Sequence, residues 1–234
     1  MSHEISINVR LLKAVACATS KEETRYYLKG VHVEFFNDHI SLCATDGCKL
    51  IAARQVLAAD NVPATEQRGI IIPSELIDRL KVGRKAPDYV TLAFESTESD
   101  YQWRALRMTY DGATFVQGEI EGSFPAARRV CPTEISGKAA SFDPLVLSTF
   151  SRAAKTAGVE SAIPTTHCNG DNPALVDCLP SDALPGCLGF GVAMPCRVRN
   201  QDLPATGWFT GSNAYRTTPA DQFKAETERL KAKA

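Results

Sequence analysis

The sequence has no apolar run long enough to cross a membrane as a helix. Its first residues, Met1-Ser2-His3-Glu4, lack the basic start and apolar core of a secretion signal. Both absences point to a cytoplasmic protein without a membrane partner. Neither charge sign is in surplus: 26 Lys and Arg stand against 27 Asp and Glu, for a net charge of −1. Bulk charge therefore announces no nucleic-acid partner, although it does not say where the charges sit. The eight cysteines (Cys17, Cys43, Cys48, Cys131, Cys168, Cys178, Cys187 and Cys196) include no CxxC pair. A zinc set from His167, Cys168, Cys178 and Cys187 is conceivable, but structural zinc normally uses close ligand pairs. Reduced thiols acting as small hydrophobes are the reading we take, with no metal or cofactor. Also missing are a nucleophile elbow, a phosphate-cradling glycine loop, HExxH and a supported carboxylate pair. Asp46, Asp78 and Asp111 read as turn and helix-surface residues, so an enzyme is not expected.

What is present is repetition. With 44% hydrophobic residues and 23% charged ones over 234 positions, the chain can bury a proper core. One order of elements recurs: a short strand, an amphipathic helix, then three strands. The first unit opens with Glu4–Ile7. Asn8 can cap a helix from Val9 to about Thr19, with Leu11, Leu12, Val15 and Ala16 as its apolar stripe. Strands Val31–Phe36, Ile40–Ala44 and Lys49–Val56 complete it. A polar, proline-containing linker, Leu57–Arg68, leads to Gly69–Ile72 and a helix opened by Pro73-Ser74-Glu75 and running to about Val82. Strands Tyr89–Glu95, Trp103–Tyr110 and Thr114–Ile120 follow, with Asp111-Gly112 as a hairpin signal. A third unit starts with Ala140–Phe142 and an Asp143-capped helix, Pro144 to about Ala157, and ends in strands near Ala162–His167, Ala174–Leu179 and Leu188–Pro195. Each helix sets Arg or Lys opposite its core stripe. For one helix this is an ordinary solvated face. Three in register would line one concave surface suited to a phosphate backbone.

Two polar turns stand out, Thr24-Arg25-Tyr26-Tyr27-Leu28-Lys29-Gly30 and Ala44-Thr45-Asp46-Gly47-Cys48-Lys49-Leu50. With Gly122-Ser123-Phe124-Pro125-Ala126-Ala127-Arg128-Arg129-Val130-Cys131-Pro132 they resemble, in order and spacing, the middle domain of the bacterial DNA polymerase III β subunit, the sliding clamp. Val192-Ala193-Met194-Pro195-Cys196-Arg197 resembles the terminal strand of that family. The resemblance runs over roughly residues 4–198. It implies an α+β DNA-clamp fold of repeated βαβββ half-domains, helices on one face and sheets on the other. Residues 1–132 would be a complete domain with half-units 4–56 and 66–132. Residues 138–198 would be a third half-unit and 199–234 a partly disordered tail.

The resemblance further implies a processivity factor of a DNA polymerase III complex. Such a homo-oligomer encircles or tracks double-stranded DNA and binds polymerase or repair proteins through a peptide cleft, with a clamp loader as a further partner. Carried over by motif, the cleft would be Leu28, Thr45, Gly47, Cys48, Lys49, Leu50, Pro125, Arg129, Val130, Val192, Ala193, Met194, Pro195, Cys196 and Arg197. The DNA-facing residues would be Arg25, Tyr26 and Tyr27, joined by Arg10, Lys13, Arg79 and Arg152 from the helices. Three departures are visible: Cys48 where the family often has His, Ala126-Ala127 for a more polar pair, and three half-units rather than six. The shortening raises a second reading, a clamp mimic from a phage or mobile element that captures clamp-binding peptides without tethering to DNA. The tail, with Trp208-Phe209 in a polar stretch, is a candidate for docking on a neighbouring chain or folding back over the cleft.

Overall fold

The first strand does not join the strands that follow it. β1 (Ser2–Asn8) runs straight into α1 (Val9–Ala16), and then come β2 (Gly30–Phe35), β3 (His39–Thr45) and β4 (Lys49–Val56). The same order repeats in β5 (Ile70–Pro73), α2 (Ser74–Asp78), β6 (Tyr89–Glu95), β7 (Ala105–Tyr110) and β8 (Ala113–Gly118). These two units trade first strands: β1 pairs antiparallel with β6, and β5 with β2. Neither sheet is complete without the other half's strand. The computed structural model describes residues 2–57, 69–83, 86–95, 105–160, 162–180 and 184–197. Most of the expected linker, Trp103 and the tail with its Trp208-Phe209 pair lie outside the described residues.

Local chemistry sets the joints. The Asn8 side chain accepts from Leu11 N at 3.0 Å and so caps α1, while the Asn8 N–H donates to Gln55 Oε1 at 2.8 Å. Gln55 Nε2 donates to the Ser6 carbonyl at 2.9 Å, so one buried amide stitches β4 to β1. α1 buries Val9, Leu11, Leu12, Ala14 and Val15 against the strands. It stops at Ala16, short of Thr19, because the N–H groups of Cys17, Ala18 and Thr19 turn to carbonyls three residues back. α2 is shorter still than the expected run to Val82. Lys13 Nζ, reaching from α1, takes the carbonyls of Ile77 (3.4 Å) and Leu80 (2.7 Å) and closes the helix end.

The third unit contributes α3 (Pro144–Ala157), β9 (Thr165–His167), β10 (Ala174–Leu179) and β11 (Cys187–Ala193). Asp143 caps α3 by accepting from Leu145 N at 2.8 Å. β11 lies antiparallel to β4 over seven register pairs, Cys187↔Gln55 to Ala193↔Lys49. The result is one continuous sheet in the order β5-β2-β3-β4-β11-β10-β9, beside a four-stranded sheet β1-β6-β7-β8. Gly191 makes this docking close. A Cβ there would sit 2.3 Å from Phe150 Cε1, so the missing side chain is the slot that takes the ring of α3. The expected strand at Ala140–Phe142 is reduced to a single bridge, Ser141↔Cys196. In the other two units the first strand is received by the sheet of the paired unit. The third has no such partner among the described residues, so no ladder forms.

Candidate functional site

Four chain segments converge where β4 meets β11. Glu23–Leu28 forms a 3₁₀ turn with a kink at Arg25 (φ −112°, ψ 50°) and buries Leu28. Its exit is fixed by Ser74, whose N–H and hydroxyl both donate to the Lys29 carbonyl, at 3.0 and 2.6 Å. The β3–β4 turn is over-determined. The Asp46 carboxylate accepts from Cys48 N (2.9 Å) and Lys49 N (3.0 Å) and pairs with Lys49 Nζ. Thr45 Oγ1 donates to the Lys49 carbonyl at 2.7 Å and accepts from Gly47 N at 3.1 Å. Gly47 itself sits at φ 94°, a conformation that favours glycine. Two further bonds tie the neighbours in. Arg25 Nη1 donates to the Asp46 carbonyl at 3.3 Å, and Met194 N to the Cys48 carbonyl at 2.9 Å.

The remaining wall, residues 122–131, hangs on β2. Phe124 stacks on His32 with ring centroids 4.7 Å apart. Arg128 pairs with Glu34 and lies 5.6 Å over the Phe36 ring. Burial holds the His32 imidazole below its ordinary range, with Arg128 adding to the effect and Glu34 opposing it.

Together these segments enclose a cavity of about 230 Å³ lined by Arg25, Tyr27, Leu28, Thr45, Gly47, Lys49, Leu50, Pro125, Ala126, Ala127, Val130, Val192 and Met194. Leu28, Leu50 and Val192 are its buried floor; Val130 and Met194 are only partly covered. The polar lining comes from Arg25, Thr45 and Lys49. An apolar lining with a few convergent polar groups is the usual make-up of a ligand pocket.

Nine of the fifteen residues assigned to a cleft by motif line this cavity. Cys48, Arg129, Pro195, Cys196 and Arg197 lie outside its lining, all but Pro195 exposed, and Ala193 is fully buried in the β4·β11 ladder. Four lining residues lie outside the motif-derived cleft: Ala126 and Ala127, which depart from the family pattern, and Arg25 and Tyr27, which the resemblance places near DNA. Arg25 sits at the kink of the 3₁₀ turn, where its backbone leaves helical geometry, so no regular spacing in the sequence foretells its direction.

The remaining basic residues are engaged locally. Lys13 closes α2, Arg152 Nη2 donates to the Cys17 carbonyl at the end of α1 (3.2 Å), and Arg79 lies 5.3 Å over the Phe115 ring. The Arg10 guanidinium sits beside Gly158, the cap of α3. Lys13 and Arg152 share a second, larger hollow of about 540 Å³ with Lys21, Lys29, Glu75 and Asp78, a mixed rather than purely basic lining. Tyr26 is 55% exposed beside Tyr27.

Half-units that exchange first strands, bring their helices to one another and join sheets through their last strands define the DNA-clamp fold. The family model described as the central domain of the DNA polymerase III beta subunit matches residues 6–126, and the chain belongs to that family. The beta sliding clamp of Caulobacter vibrioides NA1000 is 29% identical over 130 residues, which is 54% of this chain and 32% of that protein. Among solved structures, the beta subunit from Streptococcus pyogenes superposes with a TM-score of 0.59 at 15% identity, covering 84% of this chain and 66% of the other. The Bartonella birtlesii sliding clamp bound to griselimycin gives 0.53 at 17%, with the same coverage. The chain thus spans about a third of the length of the curated relative it matches.

Proposed function

We propose that this chain is a clamp-like accessory protein of DNA replication that holds polymerase or repair proteins by a short peptide seated in the cavity at the β4·β11 junction. The observation that carries the reading is the composite wall. Leu28, Leu50 and Val130 come from the complete domain, and Val192 and Met194 from the third unit. A peptide laid across this wall would touch residues of both units. Apolar peptide side chains would enter over Leu28, Leu50 and Val192, with Thr45 and the Arg25 guanidinium holding the polar end. No chemical step is involved; the protein would act by tethering. Encirclement of duplex DNA would take several such units arranged about it.

One observation favours the second reading, a mimic that binds clamp-binding peptides without DNA. Lys13, Arg152 and Arg79 are spent on helix ends and on Phe115 rather than left to phosphates. A titration of a labelled clamp-binding peptide and a primed duplex against the same preparation separates the two. DNA affinity that falls steeply with salt supports the clamp; peptide binding alone supports the mimic. Loss of peptide binding in Met194→Ala or Leu50→Ala, with the fold intact, supports the cleft, and unchanged binding in both removes it.

A further inference from the structure

Residues 124–131 cross the outer face of the larger sheet as a strap, and two cysteines meet there. In β2, Val31 and Val33 are buried in the core, so His32 and Glu34 face outward. Antiparallel partners share a face, which sets Cys43 of β3 beside His32 and Ser41 beside Glu34. The strap is fastened to this face at two points: Phe124 stacks on His32, and Arg128 pairs with Glu34 and lies over Phe36. Cys131 ends the turn Ala127–Val130, and its Sγ donates to the Ala127 carbonyl at 3.8 Å, so the thiol folds back along the strap.

The two sulfurs share one environment. Burial pushes the Cys43 thiol up; the Cys131 thiol and the Glu34 carboxylate add to the effect, and the Arg128 guanidinium opposes it. Cys131 is raised by burial and lowered by the same guanidinium. One sulfur thus belongs to the sheet and the other to the strap, with Arg128 beside both.

We propose that Cys43 and Cys131 form an oxidation site, a dithiol that closes to a disulfide and pins the strap to β3. The co-reactant is a low-molecular-weight disulfide of the glutathione class. Cys131, the less covered of the two, attacks first. Its sulfur bonds to one sulfur of the reagent, the reagent's S–S bond breaks, and one reagent thiol leaves with the Cys131 proton. Cys43 then attacks the Cys131 sulfur, and the second reagent thiol leaves with the Cys43 proton. The protein loses two electrons and two protons, and the reagent is reduced to two thiols. Arg128 favours the thiolate at each attack. Pro125, Ala126, Ala127 and Val130 of the strap line the cavity at the β4·β11 junction, so the bond would fix one of its walls. Any effect on peptide affinity rests on the peptide site proposed for that cavity; the bond itself does not.

The full chain equilibrated at neutral pH in glutathione buffers, from reducing to oxidising, tests the proposal. Samples are quenched with an alkylating reagent and mapped by non-reducing peptide mass spectrometry, with amide hydrogen exchange read across 124–131. The expected result is a Cys43–Cys131 linked peptide that grows as the buffer becomes oxidising and disappears with reductant. Exchange across 124–131 should slow by at least about tenfold in the linked chain. Cys131→Ser should abolish both changes with unchanged circular dichroism. Cys43 and Cys131 remaining thiols, or stopping as separate mixed disulfides, overturns the proposal. So does Cys43 linked to any other cysteine, or a link that leaves exchange across 124–131 unchanged. The map of the unaltered chain decides the matter even if the variant fails to fold.

Discussion

Replacing Gly191 with alanine should loosen the third unit from the sheet. The added Cβ would lie 2.3 Å from Phe150 Cε1 and 2.5 Å from Cδ1, well inside contact distance. The ring cannot swing away easily, because Phe150 is fully buried between α3 and β11. Either the ring leaves its rotamer or β11 shifts, and overpacking of this kind costs about 1–3 kcal/mol. In urea, where a domain of this size loses roughly 2 kcal/mol per molar denaturant, the midpoint should fall by about 0.5–1.5 M with little change of slope. β11 continues directly into Val192 and Met194, so peptide affinity should fall with stability. Trimming the ring should give part of both back: the Gly191→Ala, Phe150→Leu double variant is expected to be more stable than the sum of its single effects. A Gly191→Ala protein as stable as the parent, or a double variant showing no such relief, would refute the close-docking argument.

Other outcomes follow from the same geometry. Arg152→Ala and Lys13→Met remove donors from the ends of α1 and α2, and each should lower stability in the same urea assay, by about 1 kcal/mol for the half-buried Lys13 and less for the exposed Arg152. Burial pushes the Cys43 and Cys178 thiols up to about 12 and Cys187 up to about 11. At neutral pH a thiol reagent should therefore label exposed Cys48 and Cys196 first, read by peptide mapping. Those raised values mean the folded state holds protons that the unfolded chain has lost above pH ~9, so melting temperature should fall between pH ~9 and ~12. His32 is depressed, mainly by burial, and has the opposite sense: its contribution is present above pH ~6.5 and lost as pH falls below it. A His32→Gln variant should show a flatter acid limb in a melting series; an unchanged limb would mean His32 is not the group responsible.

Much of this molecule was legible in the order of its residues. Strands such as Lys49–Val56 and Tyr89–Glu95 match their expected limits because alternation and turn chemistry agree there. Asp143 and Pro144 set the start of α3 for the same reason. What the sequence could not show is non-local. The exchange of β1 and β5 between units leaves no mark on either strand, since both read as ordinary apolar strands. The shortness of α2 depends on Lys13, some sixty residues away, taking its last carbonyls. The motifs placed nine cleft residues in one cavity. They assigned Arg25 and Tyr27 to another surface because the direction of a side chain in a 3₁₀ turn depends on a kink that motif matching does not register.

The central claim is that one peptide site is built from residues of two units. Methyl-selective NMR of the full chain during titration with a clamp-binding peptide tests it most directly. The account predicts that the methyl signals of Leu28, Leu50, Val130, Val192 and Met194 move together, with one dissociation constant, while those of Val146 and Leu147 on α3 stay still. Shifts confined to the first-domain residues, with Val192 and Met194 unmoved, would contradict it.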